Sequence, residues 1–207
     1  FTGRAVTTLN DVMERLKTAF DGALEHEVTR WTSWPSSLRE ACNHGLFGGG
    51  KRVRPLVTLM VAEAVSGSLD DAMSWGMAIE LVHTYSLVHD DLPAMDDDDV
   101  RRGRPTCHVQ FGEANAILAG DALLTQAFLI LAATDRWSHA GRSELVRLLG
   151  EAAGGGGMVG GQVIDVSGEM SDLDAVLHMQ ALKTGALIRA AARGGAIAAG
   201  GTREEIT

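Results

Sequence analysis

Between Leu87 and Thr106 the chain reads LVHDDLPAMDDDDVRRGRPT. Six aspartates, at Asp90, Asp91 and Asp96 to Asp99, run straight into Arg101, Arg102 and Arg104. Like charges at that density repel, so each half calls for a counter-ion. A divalent cation suits the carboxylates and a polyanion such as a diphosphate suits the arginines. A metal–diphosphate complex satisfies both together. Upstream, GLFGGGKRVRP carries Lys51, Arg52 and Arg54 on a glycine-rich turn just before Pro55. Cations beside the free N–H groups of a helix start can bind an anion, and the same residues can equally form a solvated basic loop. Downstream, Lys183 and Thr184 sit in an alanine-rich apolar run, either holding an oxyanion or simply snorkelling to solvent.

Other uses of these residues fit less well. Gly45, Gly50 and Lys51 resemble a P-loop, but Arg52 stands where a metal-binding hydroxyl is needed and the flanks read as helix. An EF-hand loop begun at Asp96 would place Arg101 where glycine is required and Cys107 where glutamate is required. An acidic tail would not lie between two long apolar helices. An HD-type metal phosphohydrolase could use His89–Asp90 with His83 and His44, but leaves the later aspartates and the arginines unexplained. Transfer onto an allylic diphosphate uses more of the features. Asp90, Asp91 and Asp96 would hold Mg2+ on the diphosphate, Arg101 and the Lys51/Arg54 turn would add fixed positive charge, and apolar helices would keep a carbocation dry.

These groups need rigid supports, and the composition supplies helices. Hydrophobic residues make up 45% and aromatics 5% of 207 residues, with four prolines, which favours one all-α domain with a sizeable core. A formal net charge of −9 argues against a general nucleic-acid binder. Cys42 and Cys107 are too few for a disulfide framework, which points to a reducing cytosol. No apolar run is expected to reach membrane-spanning length, and the N-terminus lacks a signal-peptide pattern.

Leu9, Val12, Met13, Leu16, Phe20 and Leu24 predict an amphipathic helix over roughly 8–30. Ser37 with Glu40 predicts a capping box for a short second helix. Pro55 to Ala64, apolar nearly all round, predicts a central buried helix. Ser68 or Asp70 should cap the next helix, which runs to about Asp91 and is stopped by Pro93. In it His83 shares a face with Asp90 two turns away, and Tyr85 lies about 7.5 Å before Asp90 along the axis. The carboxylates converge only if the loop to Asp96 folds back. Further helices are expected over about 113–133, from Gly141 or Ser143, and from Asp172 to Ala199. The glycines at 154–157 and 160–161 should break the chain, because each costs about 1 kcal/mol in a helix interior. Beyond that break, Gln162 and Asp165 could share a helix face.

GGGKRVRP, ELVHTYSLVHDDLPAMDDDDVRRGRPTCHVQFGEANAILAGDALL, GGQVIDVSGE and KTGALIRAA together resemble the trans-isoprenyl diphosphate synthases (polyprenyl synthetases), closest to bacterial farnesyl diphosphate synthases. The resemblance implies a single all-α isoprenoid synthase bundle around a central cavity, Mg2+ and a cytoplasmic homodimer. It assigns Asp90 and Asp96, with Asp91 close by, to magnesium, and Arg101, Lys183 and Thr184 to the allylic diphosphate. Lys51, Arg54, His83 and Arg102 fall to isopentenyl diphosphate, and Gln162 lines the cavity. It also implies a continuous helix through the glycines, against the break expected from propensity. Tyr85 resembles a farnesyl-type cavity floor, which favours a fifteen-carbon product. Geranylgeranyl diphosphate synthesis and a non-catalytic subunit of a heteromeric synthase are the alternatives. The family's second aspartate-rich motif, DDxxD, does not occur before Thr207. The expectation is therefore one synthase domain over 1–207, truncated ahead of that motif and by itself poorly active or inactive.

Overall fold

The computed structural model describes residues 8–66, 68–168 and 170–206. It is a helical bundle with one small hairpin. Helix α1 (Leu9–Thr29) starts at Thr8, whose hydroxyl accepts from the Asp11 N–H while the Asp11 carboxylate accepts from the Thr8 N–H. Leu16, Phe20 and Leu24, one turn apart, form its buried stripe. The helix ends at Arg30, and Trp31 stacks on Trp34 at 4.4 Å. Pro35 opens α2 (Ser36–Leu46) with no side-chain cap, so Ser37 lies inside the helix and the capping box expected there does not form. A turn with Gly49 and Gly50 at φ 88° and 146° leads into α3 (Val53–Ser66). Pro55 sits in the first turn of α3, where its missing N–H costs no hydrogen bond.

The central element is α4 (Asp70–Asp90), not α3. Helix α3 leaves Val53 and Met60 exposed, while α4 buries residues all round, from Trp75 and Ile79 to Leu81, Val82, Tyr85 and Val88. It packs most extensively against α6 (Glu113–Ala133), with α3 and α10 (Ala186–Ala198) on other sides. Leu69, rather than Ser68 or Asp70, occupies the position before α4, without a side-chain cap. Close approach of α10 depends on small residues. The Trp75 indole covers Gly194, where a Cβ would come within 2.0 Å of the ring, and its Nε1 donates to the carbonyls of Ala190 and Ala191.

After α4 come a hairpin of β1 (Val100–Arg101) and β2 (Arg104–Pro105) and the short α5 (Cys107–Phe111). Helix α6 corrects one expectation. At 21 residues, with a mean hydropathy of 1.9, it is long and apolar enough to cross a membrane by length and composition. In the bundle, one side of it, with Ala119, Leu123 and Leu131, is buried.

Helix α7 (His139–Ala153) is capped by Ser138, not by Gly141 or Ser143. The chain then breaks at 154–157 before α8 (Met158–Ser167), so the continuous helix implied by the family resemblance is absent. Glycine's low helix propensity allows the break, with Gly157 at φ −136° and ψ −127°, and close contacts leave room only for glycine. A Cβ at Gly157 would lie 2.2 Å from the Ala152 carbonyl oxygen, and one at Gly160 would lie 2.0 Å from that of Gly155. Asp172 caps α9 (Leu173–Gln180), which widens into a π-turn over Ala181–Gly185 and continues as α10. A short α11 (Arg203–Ile206) follows.

Candidate active site

Pro93 ends α4, and the main chain then turns back on itself. The Asp96 N–H donates to the Asp90 carbonyl at 2.8 Å, and the Asp98 N–H to the Asp91 carbonyl at 3.2 Å. Asp97 takes a left-handed φ of 54° to make that return. The two ends of the motif are thus tied by backbone, which was the condition for convergence. The neighbouring aspartates have different fates. Asp91 is 3% exposed and both its oxygens accept from Arg101 Nε, at 2.8 and 3.0 Å, with Arg101 Nη2 at 2.6 Å. Asp90 is half-buried and faces a cavity, and its pKa is pushed up to about 6. Burial is the main cause, the charges of Asp96 and Asp91 add to it, and Lys183 and Arg101 oppose it. Asp96 to Asp99 are exposed.

The hairpin sends its three arginines to three places. Arg102 and Gly103 form its turn with φ of 55° and 75°, both positive as a type I′ turn requires. Arg101 reaches back to Asp91. Arg102 lies over Gly50, where a Cβ would come within 2.5 Å of Nη1. Arg104 donates to the Phe47 carbonyl and to His44 Nδ1, and the other His44 nitrogen donates to the Pro105 carbonyl at 2.7 Å. That pattern anchors the hairpin to the end of α2.

Between the hairpin and the glycine-rich turn lies a largely basic cavity of about 540 Å³, whose charged and polar walls are Lys51, Arg52, Arg54, Glu80, His83 and Arg102. Arg52, the third cation of the turn, is buried in ion pairs with Asp21 and Glu80. Burial and four surrounding arginines, Arg54 foremost, push the His83 pKa down to about 3, so its ring is neutral near pH 7.

A second cavity, of about 580 Å³, is mostly apolar, with Leu87, Met95, Met158, Val159 and Val163 in its walls. Asp90, Gln162, Lys183 and Thr184 are among its polar groups. Lys183 and Thr184 are presented by the π-turn, a local widening common at functional sites. Lys183 Nζ pairs with Asp165 at 2.5 Å. Helix α8 can lie this close because Gly161 has no Cβ, which would come within 2.2 Å of the Lys183 nitrogen. The side-chain oxygen and nitrogen of Gln162 are buried with no protein partner. Tyr85 and His89 line the same cavity with their rings 5.7 Å apart and nearly perpendicular.

Arg54 and His83 line both cavities. The acid-bearing apolar chamber and the basic chamber therefore share a wall. Sequence reasoning missed Asp21, Glu80, His89 as a wall residue, and Gly120. Two signals were present: a glutamate within an apolar helix, and a glycine in the middle of one, which points to a close approach. Here the His89 imidazole occupies the space over Gly120 and shares a 3.0 Å hydrogen bond with the Ile117 carbonyl.

Among the described residues, no three Asp, Glu, His or Cys side chains gather as a ready-made metal set. The carboxylates of Asp90 and Asp96 nevertheless fit a hard cation that takes its remaining ligands from water and a diphosphate. Repulsion from Asp96 and Asp91 helps to hold the Asp90 pKa up, and a cation would relieve it.

The Polyprenyl synthetase family profile matches residues 35–207. A farnesyl diphosphate synthase of Escherichia coli (strain K12) is 50% identical over 165 residues, which are 78% of this chain and 55% of that protein. A heterodimeric geranylgeranyl pyrophosphate synthase large subunit of Arabidopsis thaliana is 46% identical over 182 residues, 83% of this chain and 48% of that protein. The crystal structure of a geranyltransferase from Legionella pneumophila superposes with a TM-score of 0.88 at 34% identity, covering 91% of this chain and 68% of that one. The chain thus spans about half the length of the curated relatives it matches. With the all-α bundle and the paired cavities in place, the profile match over most of its length settles that the chain belongs to the polyprenyl synthetase family.

Proposed function

We propose that the intact protein is a Mg2+-dependent prenyltransferase. It adds isopentenyl diphosphate to an allylic diphosphate, taking dimethylallyl to geranyl and geranyl to farnesyl diphosphate, with one diphosphate released at each addition. The observation that carries this reading is the wall of Arg54 and His83 shared by the two cavities. Two diphosphate esters bound side by side need two anion sites a few ångströms apart, one of them opening onto an apolar chamber.

In the reaction the allylic C–O bond breaks and the bonding pair leaves with the diphosphate. The double bond of isopentenyl diphosphate then forms the new C–C bond, and a proton is lost from that carbon skeleton. Mg2+, bound to Asp90 and Asp96, would supply Lewis-acid neutralisation of the departing diphosphate. Asp91 is best described as the anchor of Arg101, which it holds for the allylic diphosphate. Lys183 and Thr184 face that group from the π-turn, and Gln162 offers its unpartnered amide to the cavity. Lys51, Arg54 and Arg102 supply charge for isopentenyl diphosphate, and neutral His83 donates a hydrogen bond without adding a charge. The apolar walls exclude water from the cation.

Tyr85, 7% exposed beside Asp90, supports the farnesyl product. The Arabidopsis relative keeps a geranylgeranyl product as the alternative. We assign the protein to the cytoplasm as a homodimer. Support for self-association comes from the outer face of α6, where Ile117, Leu118 and Leu129 are 44%, 56% and 54% exposed. Incubation of the intact protein with each diphosphate singly and with both together tests the reading. Chain extension only with both supports transfer, whereas phosphate release from either alone would indicate a phosphohydrolase. Failure of both activities would favour a non-catalytic subunit.

A further inference from the structure

Arg52 lines the basic cavity with its neighbours in the turn, but its guanidinium is turned to protein partners. It is 7% exposed, and each guanidinium nitrogen has a protein partner. Nε donates to Asp21 Oδ1 at 2.9 Å, Nη1 to Glu80 Oε1 at 2.7 Å, and Nη2 to the Leu46 carbonyl at 2.7 Å. Its Cζ lies 5.9 Å from the centroid of the Phe20 ring. One planar fork thus joins α1, α4 and the end of α2, a span that the point charge of lysine does not reproduce. The residue itself holds a left-handed φ of 51°, which a side chain other than glycine adopts only when its surroundings enforce it.

Lys51 and Arg54 flank this clip, and both line the basic cavity. We propose that Arg52, clamped by Asp21 and Glu80, is a positioning residue that fixes the glycine-rich turn so that Lys51 and Arg54 converge on a diphosphate in the basic cavity. The inference rests on the reading of that cavity as the isopentenyl diphosphate site. Arg52 also borders that cavity, but its three guanidinium nitrogens are committed to Asp21, Glu80 and the Leu46 carbonyl rather than offered to an anion.

Charge alone gives the opposite expectation for one variant, which makes the idea testable. Glu80 also lines the basic cavity, so its carboxylate repels a bound anion. By Coulomb's law, Glu80→Gln should tighten diphosphate binding. If the clip positions the turn, Glu80→Gln must weaken it. The probe is inorganic diphosphate, titrated calorimetrically into the intact protein with EDTA present, so that metal-bridged binding at the aspartates is removed. Glu80→Gln and Arg52→Lys are each expected to weaken binding about tenfold, equivalent to about 1.4 kcal/mol. Asp21→Asn, at a carboxylate shared with Lys17, is expected to weaken it less. In steady-state kinetics the KM for isopentenyl diphosphate should rise while the KM for geranyl diphosphate stays put, a split that general loosening of the fold would not give. Unchanged or tighter binding by Glu80→Gln, or wild-type binding by Arg52→Lys, overturns the inference. If Glu80→Gln does not fold, Asp21→Asn decides by the same readout. A wild-type protein that binds no diphosphate without metal would overturn the cavity assignment instead.

Discussion

Asp90 and Asp91 are adjacent and chemically identical, yet the bundle gives them different work. Helical geometry points them about 100° apart. Asp91 goes inward to Arg101, and Asp90 goes to the cavity, where burial and its acidic neighbours raise its pKa to about 6. Three substitutions should separate the roles. Asp90→Asn and Asp96→Asn are expected to raise the Mg2+ concentration needed for half-maximal turnover at least about tenfold. Asp91→Asn should lower unfolding stability by about 2 kcal/mol in urea titrations, less than a fully buried pair because Arg101 is partly open to solvent. Equal effects of all three on the metal requirement would contradict this division. His83 offers a pH test. Its folded pKa is depressed from 6.5 to about 3, so its contribution to stability is present above pH 6.5 and is lost as pH falls toward 3. In NMR titrations the free protein should show this ring neutral at pH 6, and diphosphate should move its titration upward. A free-state pKa near 6.5 would show that the arginines do not crowd it.

Elements matter through where they break and how closely they meet. The glycine run at 154–157 was legible as a break from propensity alone, whereas Gly160 and Gly161, expected to break the chain as well, lie inside α8, where the close approaches at Gly160 and Gly161 leave no room for a side chain. The first and last long helices were also legible, because Leu16, Phe20 and Leu24 repeat at one turn and the apolar run expected as helix from Asp172 to Ala199 folds as α9, the π-turn and α10. The caps of α2, α4 and α7 were misplaced, since several Ser and Asp residues compete within a few positions and only packing chooses among them. The π-turn left no sequence signal, because Ala181–Gly185 is compatible with ordinary helix. Nor did the RG turn of the hairpin announce itself, with arginine at a left-handed position. The α4–α6 contact makes its own prediction. Gly120→Ala would drive a methyl into the His89 ring and should cost about 1–3 kcal/mol. Removing the ring by His89→Ala should abolish that penalty, so the double-mutant cycle will be strongly non-additive. Additive losses in thermal melts would mean that His89 does not occupy the notch.

At the scale of the whole molecule, fold class was readable from composition and helical periodicity, and charge patterning alone drew attention to the aspartate–arginine stretch. The shared wall was not readable. Arg54 on α3 and His83 on α4 are far apart in sequence, and only the packing of α3 on α4 brings them between the two cavities. On the proposed reading, Tyr85, which lines the apolar cavity with Asp90, would limit the depth available to a growing chain. Tyr85→Ala should lengthen the product by at least one isoprene unit, and an unchanged product spectrum would remove Tyr85 as the floor. The central claim is that the two cavities hold two diphosphates for one coupling reaction. Chromatography of products from the intact protein with isopentenyl diphosphate, geranyl diphosphate and Mg2+ addresses it most directly. The account predicts farnesyl diphosphate and an equivalent of free diphosphate, both lost on chelation of the metal. Release of phosphate without a longer prenyl chain would contradict it.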